Sequence, residues 1–379
     1  MNDLSHRFYR FTFEKELAMK TALRNLLCLF ACVVVLGWTA PARAQDKPAL
    51  IVGVIYVGSV NDYGYNRAMK DGVNAMVKAI PGIKVLEAEN VPETGESSRV
   101  MAAMIAQGAK LIMATSFGHQ EFAYSLARSN PGVTFIHAGG WMTYPNFGNF
   151  FAATQTAWYA MGVAAAGVSK TGKAGFILGV PISYAIGNVN AFEIGAKTVN
   201  PKFQTRVVVT GGWADKVKEA AAANALIDQG ADVLTMHVDS PATIIQVAEN
   251  RGVYSIGFNS IEARQLGPKG WVTGLGFDWG PYMISTAKQV MGGTFKGSMV
   301  RQGLAEKMLV VAPFGNEVPP AVRDAAIAAA DKVAGGFNPF TGPMKDSAGA
   351  YALRAGETMG PGDMGKFDWY VEGVQGRVR

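Results

Sequence analysis

Side chains that carry out covalent or metal chemistry are scarce in this sequence of 379 residues. Only three histidines follow residue 44, namely His119, His137 and His237, and no two of them have the spacing of metal ligands. Both cysteines, Cys28 and Cys32, lie in an apolar N-terminal run. The sequence also lacks a nucleophile elbow and a phosphate-binding loop. We therefore expect no enzyme activity, no metal and no cofactor, and we expect the histidines to be loop or capping residues.

A different group of residues could bind a flat polar molecule without reacting with it. Four aromatic residues fall in expected loops rather than at helical spacing, and such rings can enclose a planar ligand or pack between a loop and a helix; they are Tyr65, Phe117, Trp141 and Trp213. Short polar residues accompany them and could bind the ligand's edge or cap helices; they are Asn61, Asp62, Asn66, Ser116, Asp239 and Asn259. Capping is the commoner role, and we rank Asp239 and Asn259 higher as ligand contacts because each ends an expected strand.

The elements that position these residues follow from an internal repeat. Three short signatures occur twice in the same order: residues 64–72 match 187–195, residues 105–109 match 227–231, and residues 130–136 match 250–256. Each copy has the pattern β-α-β-α-β, and its strands are apolar without alternation, which is typical of parallel strands covered by helices on both faces. We predict an α/β protein with two Rossmann-like lobes.

The repeat also predicts where a ligand binds. In open parallel sheets the site lies outside the carboxyl ends of the strands, so two such edges facing each other form a cleft. Phe117 in the first copy aligns with Asp239 in the second. One wall of the cleft is therefore expected to be aromatic and the other polar, which favours a flat ring that forms hydrogen bonds.

The N-terminus has the features of a secretory signal peptide. Lys20 and Arg24 precede an apolar run from 26 to 38, and a small-residue triplet ends at Ala44. We expect residues 1–44 to be removed, with Met19 as a possible true start; lipidation at Cys32 is an alternative that bulky Phe30 disfavours. No later segment is apolar enough to span a membrane. The formal net charge is +6, but the lysines and arginines do not cluster into the basic stripe that binding to nucleic acid needs.

Several segments, in this order, resemble the basic membrane protein family of solute-binding proteins, which is related to the purine nucleoside receptors of ABC importers. They are residues 56–59, 114–118, 228–233, 239–241 and the ending 367–373. The resemblance implies a type I periplasmic-binding fold with hinges near Thr154, Phe277 and Lys307. The N-terminal lobe would then hold residues 45–154 and 278–307, and the C-terminal lobe residues 155–277 and 308–379. It further implies a monomeric periplasmic protein that delivers a small molecule to an ABC permease served by a separate ATPase.

The resemblance also suggests a ligand. The family's nucleoside binders stack the base between aromatic rings, and Tyr65 and Trp213 match those positions. The acid and the lysine that hold the ribose are replaced here by Asn259 and Phe277. We therefore expect a purine base, adenine before others, stacked on Tyr65 with Trp213 or Phe277 opposite, and with Asp239 or Asn259 on its edge. The alternatives are a nucleoside-binding protein, a sensory module and a periplasmic nucleoside hydrolase.

Overall fold

The structure is a computed structural model that describes residues 19–22, 48–360, 362–363 and 365–378. Most of the expected leader, including Cys28 and Cys32, lies outside the described residues, and only residues 19–22 of it are seen, as helix. The signal peptide therefore remains a prediction. Among the residues with described structure, no helix is both long enough and apolar enough to cross a membrane.

Six parallel strands form the first sheet. They are β1 (Leu50–Ile55), β2 (Ile83–Ala88), β3 (Leu111–Ala114), β4 (Thr134–Ala138), β5 (Phe147–Ala152) and β11 (Met299–Gln302). Their order across the sheet is β11-β5-β4-β3-β1-β2. β3 is buried at every residue, as its unbroken apolar sequence predicts for a central strand covered on both faces.

Six further strands form the second sheet. They are β6 (Lys173–Leu178), β7 (Gln204–Val209), β8 (Val233–His237), β9 (Tyr254–Asn259), β10 (Trp271–Phe277) and β12 (Leu309–Val311). Their order is β12-β10-β9-β8-β6-β7, and only the edge strand β12 runs antiparallel to its neighbour. The chain thus leaves the first sheet after β5, returns to it after β10 and leaves it again after β11.

Helices cover both sheets. Those of the first lobe are α1 (Tyr65–Ala79), α2 (Gly95–Ala106), α3 (Gln120–Ser129) and α8 (Gly280–Met291); those of the second are α4 (Thr154–Val168), α5 (Ser183–Val199), α6 (Lys216–Asp228), α7 (Ala242–Arg251) and α9 (Pro320–Ala334). A short hairpin, β13 (Met344–Lys345) with β14 (Tyr351–Leu353), follows. Each repeat copy therefore alternates strand and helix as predicted, and the two-lobed α/β fold is confirmed.

The glycines of the repeat signatures have identifiable structural roles. Gly108 and Gly230 follow α2 and α6 with φ of 94° and 92°, the left-handed conformation that ends helices. Gly195 lies where α5 crosses α4, and a Cβ on it would be 1.9 Å from the carbonyl oxygen of Tyr159. Gly72 similarly lets α1 approach Trp279, at the start of α8. The signatures thus mark backbone turns and close helix contacts.

Three polar contacts join the lobes at the cleft. Tyr65 N donates to Asp239 O at 2.8 Å, Ser240 Oγ donates to Asp62 O at 2.7 Å, and Arg67 pairs with Glu262 at 3.0 Å. A Cβ on Gly64 would lie 1.8 Å from the same Asp239 oxygen. The absence of a side chain at position 64 therefore allows the backbones of the two lobes to meet.

The helix crossing at Gly195 predicts that a Gly to Ala substitution there lowers the free energy of unfolding instead of raising it. Gly to Ala inside a helix normally stabilises a protein by about 1 kcal/mol. We expect Gly195→Ala to destabilise by about 1–3 kcal/mol instead, because its Cβ would overlap the backbone of α4. Thermal unfolding of the purified protein measures this. The matched control is Gly95→Ala in the first turn of α2, where a Cβ meets nothing within 4 Å; an equal response of the two variants would contradict the packing explanation.

Candidate ligand-binding site

A cavity lies between the lobes where the carboxyl ends of strands from both sheets meet; we call it the inner cavity. Its lining residues are Tyr65, Ser116, Phe117, Ala138, Gly139, Phe151, Tyr184, Trp213, His237, Val238, Asp239 and Asn259. The space open to the centre of a water molecule is about 20 Å³, room for about one water. A larger ligand therefore enters only if the lobes move apart.

Three aromatic residues of the first lobe, Tyr65, Phe117 and Phe151, line the inner cavity. The hydroxyl of Tyr65 donates to Thr115 O at 2.6 Å, which fixes this ring at the end of β3. Phe277 meets Tyr65 edge to face, with ring centroids 6.2 Å apart, and stacks on Trp279 at 4.4 Å on its other side. Phe277 is thus a support behind Tyr65 and is not among the lining residues.

Asp239 provides the main polar group of the second wall. Its N–H donates to Trp213 O at 2.7 Å, and its carbonyl accepts from Tyr65 N. These backbone bonds hold the residue in place and leave its carboxyl to the cavity. Burial, together with the nearby carboxyls of Asp62 and Glu93, raises the pKa of the Asp239 carboxyl well above its usual range. None of the lysines or arginines in the described part of the chain pairs with it.

Asn259, the last residue of β9, is oriented by the backbone. Its φ is 75°, a conformation that asparagine adopts more readily than most residues. The side-chain Nδ2 donates to Val238 O at 2.7 Å and to Asp239 O at 3.2 Å. Both amide protons are thereby occupied, and Oδ1 remains as a hydrogen-bond acceptor at the cavity wall.

The remaining predicted residues lie outside the inner cavity. Asp62 accepts from the backbone N–H groups of Gly64, Asn66 and Arg67 at 2.7–3.0 Å, so it caps the start of α1. Asn66 donates to Asp62 and accepts from the N–H of Gly58, and Asn61 is exposed. Asp62 and Asn66 therefore stabilise the loop before α1, because a short polar side chain beside a helix start satisfies unpaired N–H groups.

A second, wider cavity adjoins the first; we call it the outer cavity. It shares Phe117, Gly139 and Tyr184 with the inner cavity, and the space open to the centre of a water molecule is about 580 Å³. Trp141 lines this outer cavity with 60% of its surface exposed and contacts Phe117 at 5.8 Å. Arg301 also lines it. Trp141 therefore belongs to the entrance side and not to the inner cavity.

Tyr184 and His237 also line the inner cavity, although neither is among the ligand contacts chosen from the sequence. His119 is a loop residue as expected, within a 3₁₀ turn, but His137 lies within β4 and His237 is the last residue of β8. Both are buried, which corrects their expected placement in loops or caps. A strand that ends at a cleft places its last side chain beside the cleft. The position of His237 at the end of a strand could therefore have identified it from the sequence as a lining residue. Tyr184 lies in the first turn of α5, directly after a strand-to-helix loop.

Comparisons with known proteins agree with this geometry. The family model described as ABC transporter substrate-binding protein PnrA-like matches residues 49–334. A purine-binding protein of Brucella abortus (strain 2308) is 36% identical over 346 residues, which cover 91% of this chain and 98% of that protein. A Haloferax volcanii protein, named for glucose binding in an ABC transporter, is 26% identical over 86% of this chain and 80% of its own.

Among solved structures, an ABC transporter solute-binding protein from Conexibacter woesei superimposes with a TM-score of 0.64 at 23% identity, covering 76% of this chain and 97% of that one. Such a likeness supports the fold alone, and it confirms the predicted type I periplasmic-binding architecture. The family match covers most of the chain, including both sheets and the lining residues of the inner cavity. The chain therefore belongs to the PnrA-like family of ABC transporter substrate-binding proteins, whose members bind small molecules and deliver them to an ABC transporter.

Proposed function

We propose that this protein captures a purine nucleobase, adenine before other purines, and delivers it to an ABC importer. The observation that carries the proposal is the chemistry of the inner cavity: aromatic rings from both lobes line it, hydrogen-bonding groups of the second lobe lie among them, and no lysine or arginine is among its lining residues. A flat, uncharged ring with N–H groups on its edge fits these walls. The purine-binding relative from Brucella abortus supports the same ligand class.

The polar wall favours adenine because the Asp239 carboxyl can form two hydrogen bonds with one edge of the base. A carboxyl whose pKa is raised keeps its proton and then offers both an O–H donor and a C=O acceptor. An adenine edge presents the complement, an amino N–H beside an unprotonated ring nitrogen. Asn259 Oδ1 adds one more acceptor for a ring N–H. In a nucleoside, one ring nitrogen carries the ribose and cannot donate.

A nucleoside is the second candidate, and the outer cavity is the observation that favours it. This cavity adjoins the inner one at Phe117 and Tyr184, has room for a sugar, and includes Arg301 in its lining. A base in the inner cavity could extend a ribose in that direction. Replacement of the family's ribose-binding acid and lysine by Asn259 and Phe277 argues against this arrangement.

Delivery follows from closure of the two lobes. We propose that the segments at Thr154, Phe277 and Lys307 act as hinges between lobes with the boundaries given above. Ligand binding would shift the population toward the form in which Tyr65 and Asp239 are joined. A membrane permease with a separate ATPase would receive this form at the outer face of the inner membrane. We propose that the protein acts there as a monomer.

A thermal-shift screen tests the ligand class. A ligand at 100 times its Kd stabilises the folded state by about 2.7 kcal/mol, roughly 3–5 °C in Tm for a chain of this size. We expect adenine to give the largest shift, other purine bases a smaller one, and nucleosides and glucose little. Titration calorimetry then gives the affinities. Stabilisation by nucleosides without stabilisation by free bases would overturn the nucleobase proposal.

The state of Asp239 predicts a pH dependence. If the protonated carboxyl binds the base, affinity is complete at low pH and is lost as pH rises through the raised pKa of Asp239. Asp239→Asn keeps a donor and an acceptor at the same place, so we expect its affinity to be independent of pH from 6 to 9. Asp239→Leu should bind roughly 10- to 100-fold more weakly. Calorimetry on the three proteins measures this, and a parallel pH dependence in the Asn variant would exclude Asp239 as its source.

Gly64 provides a test of closure. We expect adenine to reduce the radius of gyration of the wild type in small-angle scattering, whereas Gly64→Ala should contract less because its Cβ would overlap Asp239 O. Loss of the two inter-lobe hydrogen bonds corresponds to about 2 kcal/mol, roughly a 30-fold shift toward the open form. Gly95→Ala in the same lobe should contract like the wild type. Full contraction of the Gly64 variant would show that this contact does not limit closure.

A further inference from the structure

We propose that His237 is a specificity-determining residue of the inner cavity, whose Nε2–H donates a hydrogen bond to an unprotonated ring nitrogen of the bound base. This inference rests on the proposed function, because it concerns a ligand with a planar ring and nitrogen acceptors. It goes further by requiring an acceptor on the ligand at a defined wall. Asp239 and Asn259 alone would select only for donors and for the edge that pairs with the Asp239 carboxyl.

A chain of buried hydrogen bonds determines which nitrogen of His237 carries the proton. Thr154 Oγ1 donates to Asn188 Oδ1 at 2.9 Å, which directs the amide Nδ2 away from Thr154. That Nδ2 lies 2.8 Å from His237 Nδ1. An amide nitrogen can only donate, so Nδ1 must accept and the proton of a neutral ring must be on Nε2. Thr154 and Asn188 are fully buried, so water does not compete for these bonds.

The ring is neutral under physiological conditions. Burial lowers the pKa of His237 to about 3, and its closest ring neighbours are the aromatic side chains of Phe258, Tyr184 and Trp213, with centroids 4.9–6.1 Å away. A neutral imidazole with an accepting Nδ1 has one N–H, at Nε2. The tautomer therefore does not change over the pH range in which the protein works.

The first lobe contains the same pair of asparagine and histidine, but there the histidine N–H already donates to a backbone carbonyl. Asn149 Nδ2 lies 3.2 Å from His137 Nδ1 near the end of β4, and burial lowers the pKa of His137 to about 3. There, however, Nε2 lies 2.7 Å from the carbonyl of Ser116 and donates to it. The two histidines thus have the same tautomer, and the Nε2–H of His137 already donates to an acceptor within the protein.

His237 lacks that internal acceptor. It is only 5% exposed and it lines the inner cavity, yet within the described ranges no oxygen or nitrogen accepts from its Nε2. A donor that faces a narrow cavity without a protein acceptor is unfavourable unless water or a ligand accepts its hydrogen bond. In the closed form that acceptor is the ligand. The polar wall then combines the donor and acceptor of Asp239 and the acceptor of Asn259 with a second donor at His237.

Nitrogen NMR on the ligand-free protein tests the first half of the inference. With uniformly 15N-labelled protein, ring couplings should show His237 protonated at Nε2 and unprotonated at Nδ1 between pH 6 and 8. The His237→Phe spectrum assigns the signals, and His137 serves as the internal reference for the same tautomer. A proton on Nδ1, or titration of the ring in this range, would overturn the inference whatever the ligand is.

Deaza analogues of adenine test the second half, because each replaces one ring nitrogen by C–H and removes one acceptor. We expect the wild type to bind two of the 1-, 3- and 7-deaza compounds roughly 10- to 100-fold more weakly than adenine, because one lacks the acceptor for Asp239 and the other the acceptor for His237. His237→Phe should bind adenine and one of these two analogues equally, and should still discriminate against the other. His237→Gln, which keeps an N–H at similar reach, should restore part of the preference. The ratio of affinities within one variant is insensitive to any general loss of stability.

The outcomes separate the two proposals. If adenine binds and the deaza preference is the same in the wild type and in His237→Phe, the proposed function stands and the role of His237 is wrong. If no purine binds at all, the proposed function fails, and with it a purine as the acceptor for His237. The tautomer measurement then shows independently whether His237 offers a donor to a different ligand.

Discussion

The peptide groups of Asp239 hold the ligand-binding site together. Its carbonyl accepts from Tyr65 N across the cleft and from Asn259 Nδ2 within its own lobe, while its N–H donates to Trp213 O. One residue thereby fixes the relative positions of an aromatic ring from the first lobe, an aromatic from the second and the amide of Asn259. Because these bonds use the backbone, the carboxyl remains available to the cavity. The chemistry of the wall and the contact between the lobes therefore depend on the same residue.

Two similar lobes produce a site only where they differ. Each lobe has, at or next to the end of a strand, a histidine whose Nδ1 accepts from an asparagine. In the first lobe the other ring nitrogen is used by Ser116 O, and the wall beside it is formed by Phe117 and Tyr65. In the second lobe it faces the cavity, next to Asp239. The duplicated fold supplies two equivalent edges, and the divergence of a few residues at the strand ends gives the second edge the polar groups Asp239 and Asn259.

The sequence predicts the architecture well because the repeat, the apolar strands and the capping glycines are local patterns with one structural interpretation. It also places Tyr65, Phe117 and Asp239 at the ends of the right elements. It ranks Asp239 above Asp62 only by position along the chain, since both are short acids beside a helix start, and only the structure shows that Asp62 accepts three backbone N–H groups. The donor at His237 depends on Asn188, 49 residues away, and no local pattern reveals such a contact.

The polar groups that line the inner cavity explain why closure should depend on a ligand. With the lobes together, the Asp239 carboxyl, Asn259 Oδ1 and His237 Nε2–H have no hydrogen-bond partner among the residues that the structure describes, and there is room for about one water. Each unpaired buried polar group costs about 1–3 kcal/mol, whereas each inter-lobe hydrogen bond contributes about 1 kcal/mol. The hydrogen bonds at Asp239 and Ser240 and the Arg67–Glu262 pair favour closure, whereas the three polar groups without a protein partner oppose it. In the open form water can satisfy all three groups, so a ligand that supplies their partners favours the closed form.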